Sequence, residues 1–407
     1  MYDDKDVGGT VPGKGDDCMG AGGCATQGAV AEDFVRFVRE LFLSDQPIPL
    51  HAPLFTGREK EYLLDAIDST FVSSVGRYVD RFEAECAVYT GAKYAVATVN
   101  GTSALHVALL LAGVKQDEEV ITQALTFVAT CNAIHYCGAE PVFIDVDKTS
   151  LGLSAQALAD YLDKFAGIRN GETRNKQTGK RIAACVPMHT FGHSADMPGI
   201  IEVCEKYHIP VVEDAAEALG STLHGRHCGT FGRLGVLSFN GNKIMTTGGG
   251  GMILTDDEQL AKQAKHLTTT AKLPHPWQFM HDQIGFNYRM PNLNAALGVA
   301  QLECLSEFLI KKRELAARYI DWCGRNRWQC VVEPEAACSN YWLNALVLED
   351  EAARDAFLTV TNEQGVMTRP VWEPMHRLPM YRHCQKDSLV NTEWAAARVV
   401  NIPSSVI

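Results

Sequence analysis

The sequence predicts an α/β protein built on a mostly parallel, seven-stranded sheet flanked by helices, with a smaller C-terminal α+β domain. Three observations lead there. Between Lys93 and Asp256 short β-rich runs recur at Tyr94–Val99, Glu119–Thr122, Pro141–Asp145, Ile182–Pro187, Pro210–Glu213, Gly235–Phe239 and Gly251–Thr255. Helix-length amphipathic stretches separate most of them, among them Ser103–Ala112, Ala129–Tyr136, Ala155–Phe165 and Pro198–Tyr207. This alternation is the pattern of crossover-connected parallel strands covered by helices on both faces. Finally, 407 residues with 46% hydrophobic and 21% charged content supply a sizeable core, so neither a disordered nor a fibrous chain is expected.

The elements follow in order. Residues 1–28 are dense in Gly and Asp and poor in large apolar residues, so a disordered tail is expected there. From Ala29, the spacing of Val30, Phe34, Phe37, Val38, Leu41 and Phe42 is helical and opens a large domain over 29–275. The polar stretch Ile168–Lys180 reads as a surface loop. A hinge between 270 and 292 leads to a small domain over 276–407. That domain holds one or two long helices in Asn292–Arg325 and short strands near Trp342–Leu348 and Thr368.

Charge and composition narrow the partners. Lys plus Arg number 37 against 49 Asp plus Glu, a formal charge of −12 with no long basic run, which argues against nucleic acid. Apolar stretches such as Ala104–Val114, interrupted by His106, fall short of the ~20 residues that span a bilayer, so no membrane segment is expected. The first residues lack a charged segment followed by an apolar one, and no secretory signal is expected. The 13 cysteines suit reduced thiols in a cytoplasm, and Cys18 and Cys24 have no ligand-spaced neighbours that would suggest a metal.

Four features sit at the expected carboxyl ends of strands, where open parallel sheets bind ligands. Asn100-Gly101-Thr102-Ser103 offers helix-start amides and two hydroxyls to an anion, or serves simply as an N-cap through Thr102 or Ser103. Glu213-Asp214-Ala215-Ala216-Glu217 closes a buried strand with carboxylates that need a cation; Asp214 would suit a protonated ring nitrogen, or cap the next helix. Ser238-Phe239-Asn240-Gly241-Asn242-Lys243 places a lysine in a Gly-rich turn, as a Schiff base requires. The glycines that follow at 248–251 lack the spacing of a nucleotide P-loop. Thr126-Phe127 could lay an aromatic ring on a cofactor or be ordinary core.

Seven motifs in order then resemble the DegT/DnrJ/EryC1/StrS sugar aminotransferases, a family of fold type I pyridoxal-phosphate enzymes. They are NGTSALHVAL (100–109), EVITQALTFVATCNAI (119–134), MHTFGHSADM (188–197), VVEDAAEALGS (211–221), LSFNGNKIMTTGGGGM (237–252), GFNYRMPNLNAALG (285–298) and EPMHRLPMY (373–381). The resemblance implies that Lys243 and Asp214 are catalytic, the first as the cofactor-linked lysine and proton shuttle, the second holding the ring nitrogen protonated. It places Thr102, Ser103 and Ser238 at the phosphate, Gly101 allowing the approach, and Phe127 on the ring. Ala216, Asn240 and Asn287 join the cofactor-binding set, Asn287 from a neighbouring subunit of a homodimer. Glu217 occupies a position usually filled by Gln beside the cofactor hydroxyl, which is a departure from the family pattern. No metal is implied.

Because Lys243 is retained, the resemblance implies transamination from L-glutamate to a keto-sugar rather than dehydration. The versions of HTFGH, SFNGNK and TTGGGG look most like enzymes aminating C4 of UDP-linked 4-keto-6-deoxy-N-acetylhexosamines for bacterial surface glycans. A GDP or dTDP carrier, another position, or a non-catalytic regulatory relative are the alternatives. His189, His193 and Asp196 fall in an expected loop, where His189 serves the ligand or simply a loop hydrogen bond. His275, Trp277 and His281 are candidates to touch the nucleotide.

Overall fold

A computed structural model describes residues 21–407, with side chains from residue 31 onward. The tail expectation therefore falls outside the described residues for 1–20, and helix α1 (Ala21–Phe42) begins upstream of Ala29. The central strands are β1 (Tyr94–Thr98), β2 (Glu119–Gln123), β3 (Glu140–Ile144), β4 (Ile182–Val186), β5 (Val212–Asp214), β6 (Leu234–Ser238) and β7 (Gly251–Thr255). They run in the order β3-β2-β4-β5-β6-β7-β1, two ladders being joined by parallel bridges Cys185–Val211 and Met188–Asp214. Only β7 is antiparallel, pairing with both β1 and β6. The seven-stranded, mostly parallel sheet of a fold type I enzyme is thus present.

Helices cover both faces: α2 (Glu59–Asp68), α3 (Arg77–Thr90), α4 (Gly101–Leu111), α5 (Val128–Tyr136), α6 (Ala155–Phe165), α7 (Met197–Lys206) and α8 (Glu258–Thr268). One expectation is corrected between α6 and β4. The stretch read as a loop forms a β-hairpin, Ala166–Arg169 with Glu172–Asn175, turning on Asn170 (φ 54°) and Gly171 (φ 78°). An Asn-Gly pair that accepts positive φ at both positions makes the tight turn that matches strand twist, and polar composition hid it.

Helix α9 (Asn292–Asn326) is a single helix, and both halves of the chain pack on it. Gly298 meets Phe82 of α3, while Tyr319 and Trp322 meet Phe34 of α1. Beyond it, β8 (Gln329–Cys330), β9 (Asn344–Val347), β10 (Arg369–Pro370) and β11 (Val399–Ile402) form an antiparallel sheet in the order β8-β9-β11-β10, with α10 (Glu351–Glu363) and α11 (Val390–Ala396). A left-handed residue at Arg327 (φ 59°) reverses the chain after α9 and brings Cys323 and Cys330 together as a disulfide, a correction to the all-reduced expectation. The remaining described cysteines are free.

The C-terminal segment is held to the sheet edge by backbone bonds of Phe143 with Gln385 and Asp387 and by the carboxylate of Asp145. Asp145, just past β3, accepts from the amide and hydroxyl of Thr392 (2.7 and 2.8 Å) and from the amide of Asn391 (2.8 Å). Removing it orphans these three donors and the Val146 amide, four in all and three of them backbone. Buried unsatisfied groups cost about 1–3 kcal/mol, so Asp145→Ala should lower unfolding stability by about 2 kcal/mol. Urea denaturation reads this directly, and a change within error of zero would contradict the pinning role.

Candidate active site

The carboxyl ends of β1, β2, β4, β5 and β6 open onto one cavity of about 320 Å³, whose walls include Gly101, Thr102, Phe127, Thr130, Met188, Asp214, Ala216, Glu217, Ser238, Asn240, Lys243, Trp342 and Trp372. Helix α4 starts at once after β1 because Asn100 caps it, its Oδ1 accepting from the Ser103 amide at 2.7 Å. Position 101 must be glycine: a Cβ there would stand 2.9 Å from Ser238 Cβ. Among the described residues the amides of Gly101 and Thr102 and the hydroxyls of Thr102 and Ser238 have no partner in the chain. Free amides at a helix start beside two hydroxyls form an anion seat.

Across the cavity Asp214 ends β5 and is 5% exposed. Its Oδ2 accepts from Thr130 Oγ1 at 2.8 Å and its Oδ1 from the Ala216 amide at 3.2 Å. Thr130 Oγ1 lies 2.8 Å from Thr126 Oγ1, so a hydroxyl relay from the loop before α5 to its first turn fixes the carboxylate. These contacts leave lone pairs for a cation in the cavity, and a protonated ring nitrogen fits that demand.

Lys243 follows β6 on a tight turn closed by its amide to the Asn240 carbonyl at 3.0 Å. Its Nζ sits 3.1 Å from Glu217 Oε1 and 3.8 Å from the centre of the Trp342 ring. Trp342 is itself held by its Nε1 donating to the Asn242 carbonyl at 2.6 Å. The other oxygen of Glu217 accepts from the Phe191 amide at 3.0 Å. Burial pushes the Glu217 carboxyl up to about 7, the Lys243 ammonium offsetting part of that rise. Phe127 stands half exposed at the mouth, its ring 6.4 Å from Trp372.

An anion seat, a carboxylate for a ring cation, a lysine and an aromatic lid surround one flat space, and these residues fit pyridoxal phosphate. The fold and this set of groups define a pyridoxal-phosphate-dependent aminotransferase of fold type I. The DegT/DnrJ/EryC1/StrS aminotransferase family model matches residues 54–406, and the chain belongs to that family. It is similar to the GDP-perosamine synthase of Caulobacter vibrioides, 36% identical over 370 residues covering 89% of this chain and 94% of that protein. The GDP-perosamine synthase of Escherichia coli O157:H7 is 37% identical over 358 residues, covering 88% of this chain and 93% of its own. Among solved structures, the aminotransferase TlmJ of Streptoalloteichus hindustanus superposes with a TM-score of 0.79 at 30% identity, covering 88% and 93% of the two chains.

The cavity gathers Gly101, Thr102, Phe127, Asp214, Ala216, Glu217, Ser238, Asn240 and Lys243, all of them expected from sequence. Two expected residues lie outside this chain's cavity. Ser103 spends its amide on the cap and its side chain is buried, while Asn287 bridges to Thr269. His189 serves a loop hydrogen bond, its ring joining Glu213 Oε2 at 3.0 Å and the Ala195 amide at 3.2 Å. His193 turns to Ser339, and Asp196 caps α7, so these three do not converge. His275, Trp277 and His281 do not line the cavity either.

Sequence reading missed Thr130, Met188, Trp342 and Trp372. Thr130 had a readable signal, its placement four residues after Thr126 on the first turn of a helix. The two tryptophans come from the distant C-terminal unit and had none. When bound, pyridoxal phosphate supplies an electron sink for carbanion chemistry. Thr130→Val removes a hydrogen bond to a buried carboxylate, worth about 1.5–3 kcal/mol. Its dissociation constant for pyridoxal phosphate should rise at least about tenfold, as followed by the visible band on titration; unchanged affinity would remove Thr130 from the site.

Proposed function

We propose that the chain transfers the amino group of L-glutamate to the keto carbon of a GDP-linked 4-keto-6-deoxy sugar, within cytoplasmic synthesis of bacterial surface glycans. The observation that carries the carrier assignment is the near full-length similarity to proteins named GDP-perosamine synthases. The UDP-linked N-acetylhexosamine expected from the loop motifs gives way to the GDP alternative for that reason. In this reading Lys243 holds and moves the proton between donor or sugar carbon and cofactor, and Asp214 keeps the ring nitrogen charged. Gly101, Thr102 and Ser238 bind the phosphate, and Phe127 covers the ring.

The reading includes a homodimer with shared sites. Trp277, Phe279 and Ile284 are 77%, 78% and 86% exposed on the segment leading to Asn287. Apolar side chains so displayed are suited to cover by a second copy, which would carry Asn287 toward the neighbouring cavity.

The test is a pair of half-reactions. The wild-type protein with pyridoxal phosphate should show a visible band that L-glutamate bleaches, and Lys243→Ala should not acquire it. The pyridoxamine form should then aminate a GDP-linked 4-keto-6-deoxy sugar with at least about tenfold higher kcat/KM than its UDP- or dTDP-linked counterparts, a difference of about 1.4 kcal/mol. A preference for UDP would restore the earlier expectation, and a band that glutamate leaves unchanged would exclude that donor.

A further inference from the structure

Lys243 is held between two partners, a carboxylate and an aromatic face. Glu217 Oε1 is 3.1 Å from Nζ, and the face of Trp342 lies 3.8 Å away on another side. A protonated amine has no lone pair, so Lys243 must lose a proton before it can join a carbonyl carbon. Glu217 is the carboxylate in contact with Nζ, it is 3% exposed, and its second oxygen is fixed by the Phe191 amide. The charged groups facing this pair are few. Asp214 lies on the strand before Glu217 and opposes further negative charge there. His51, from the segment before α2, is kept neutral by burial and by the positive charges of Lys312 and Lys243.

We propose that Glu217 is a catalytic proton acceptor that releases the amine of Lys243 for its attachment to the cofactor aldehyde. The inference rests on Lys243 being the attachment lysine. As the aldehyde carbon approaches Nζ, one N–H bond breaks and an O–H bond forms on Glu217, and the freed electron pair makes the C–N bond. The carbonyl oxygen departs as water with two of the three ammonium protons, and the third is shared between the new C=N nitrogen and Glu217. No oxidant or reductant is needed. A carboxyl whose proton affinity burial has brought to about 7 is matched to this exchange at neutral pH.

The test follows the visible band by stopped-flow after mixing apoprotein with pyridoxal phosphate between pH 6 and 9, a readout independent of turnover. Wild-type capture should rise with pH and reach a plateau near neutrality. Glu217→Gln keeps the shape and a hydrogen bond but cannot take a proton, so capture at pH 7 should slow about a hundredfold and climb with pH without a plateau. A Glu217→Gln profile of wild-type rate and shape overturns the proposal. If that variant does not fold, Glu217→Ala with and without formate decides: restoration of the rate by formate supports the proposal, and no restoration overturns it. Lys243→Ala separates the two assignments. A band in that variant removes the lysine assignment, whereas a silent Lys243→Ala beside an unaltered Glu217→Gln removes only the role of Glu217.

Discussion

Three carboxylates within five residues are buried at the end of β5, with Glu213, Asp214 and Glu217 at 0%, 5% and 3% exposure. Left unpaired, each would cost several kcal/mol, so the surrounding loops are committed to satisfying them. Glu213 takes the amides of Gly229 and Gly232 at 2.8 and 2.6 Å and the ring of His189. Asp214 takes Thr130 and the Ala216 amide, and Glu217 takes Lys243 and the Phe191 amide. Four separate segments of chain are thereby tied to one strand end. The same demand explains an unusual backbone. Phe191 adopts a left-handed conformation (φ 58°), which a non-glycine residue keeps only when its surroundings fix it; here its amide is bound by Glu217 and its side chain is fully buried.

What was legible in the sequence is what is local. The strand runs, the carboxylates closing β5 and the lysine turn after β6 each lie within a few consecutive residues and appear where their chemistry suggested, whereas the cap expected of Thr102 or Ser103 is made by Asn100 just before them. The Asn170-Gly171 hairpin was legible in principle, but the polar residues around it outweighed the turn signal. Trp342 and Trp372 reach the cavity through α9 and the small sheet, 99 and 129 residues beyond Lys243, and no spacing in the sequence encodes that approach. The nucleotide carrier was not legible for a related reason. The motifs used to choose it surround the cofactor, where relatives with different sugars share the same chemistry.

The small unit is also an electrostatic participant in the site. Lys312 of α9 is fully buried and, among the described residues, has no carboxylate partner; its Nζ donates to the Trp342 carbonyl at 2.7 Å and to the Ser404 carbonyl. Burial drives its proton affinity well below that of a free lysine. A group so costly to bury is tolerated where the bonds it makes fix something, and here they fix the backbone of Trp342 against the C-terminal segment. The indole of that residue, anchored on Asn242, is the surface on which the Lys243 ammonium rests. The position of Lys243 is therefore set from two sides. Glu217 belongs to the large sheet and Trp342 to the unit built on α9, so a shift of one unit against the other would change both the charge partner and the cover of the same nitrogen.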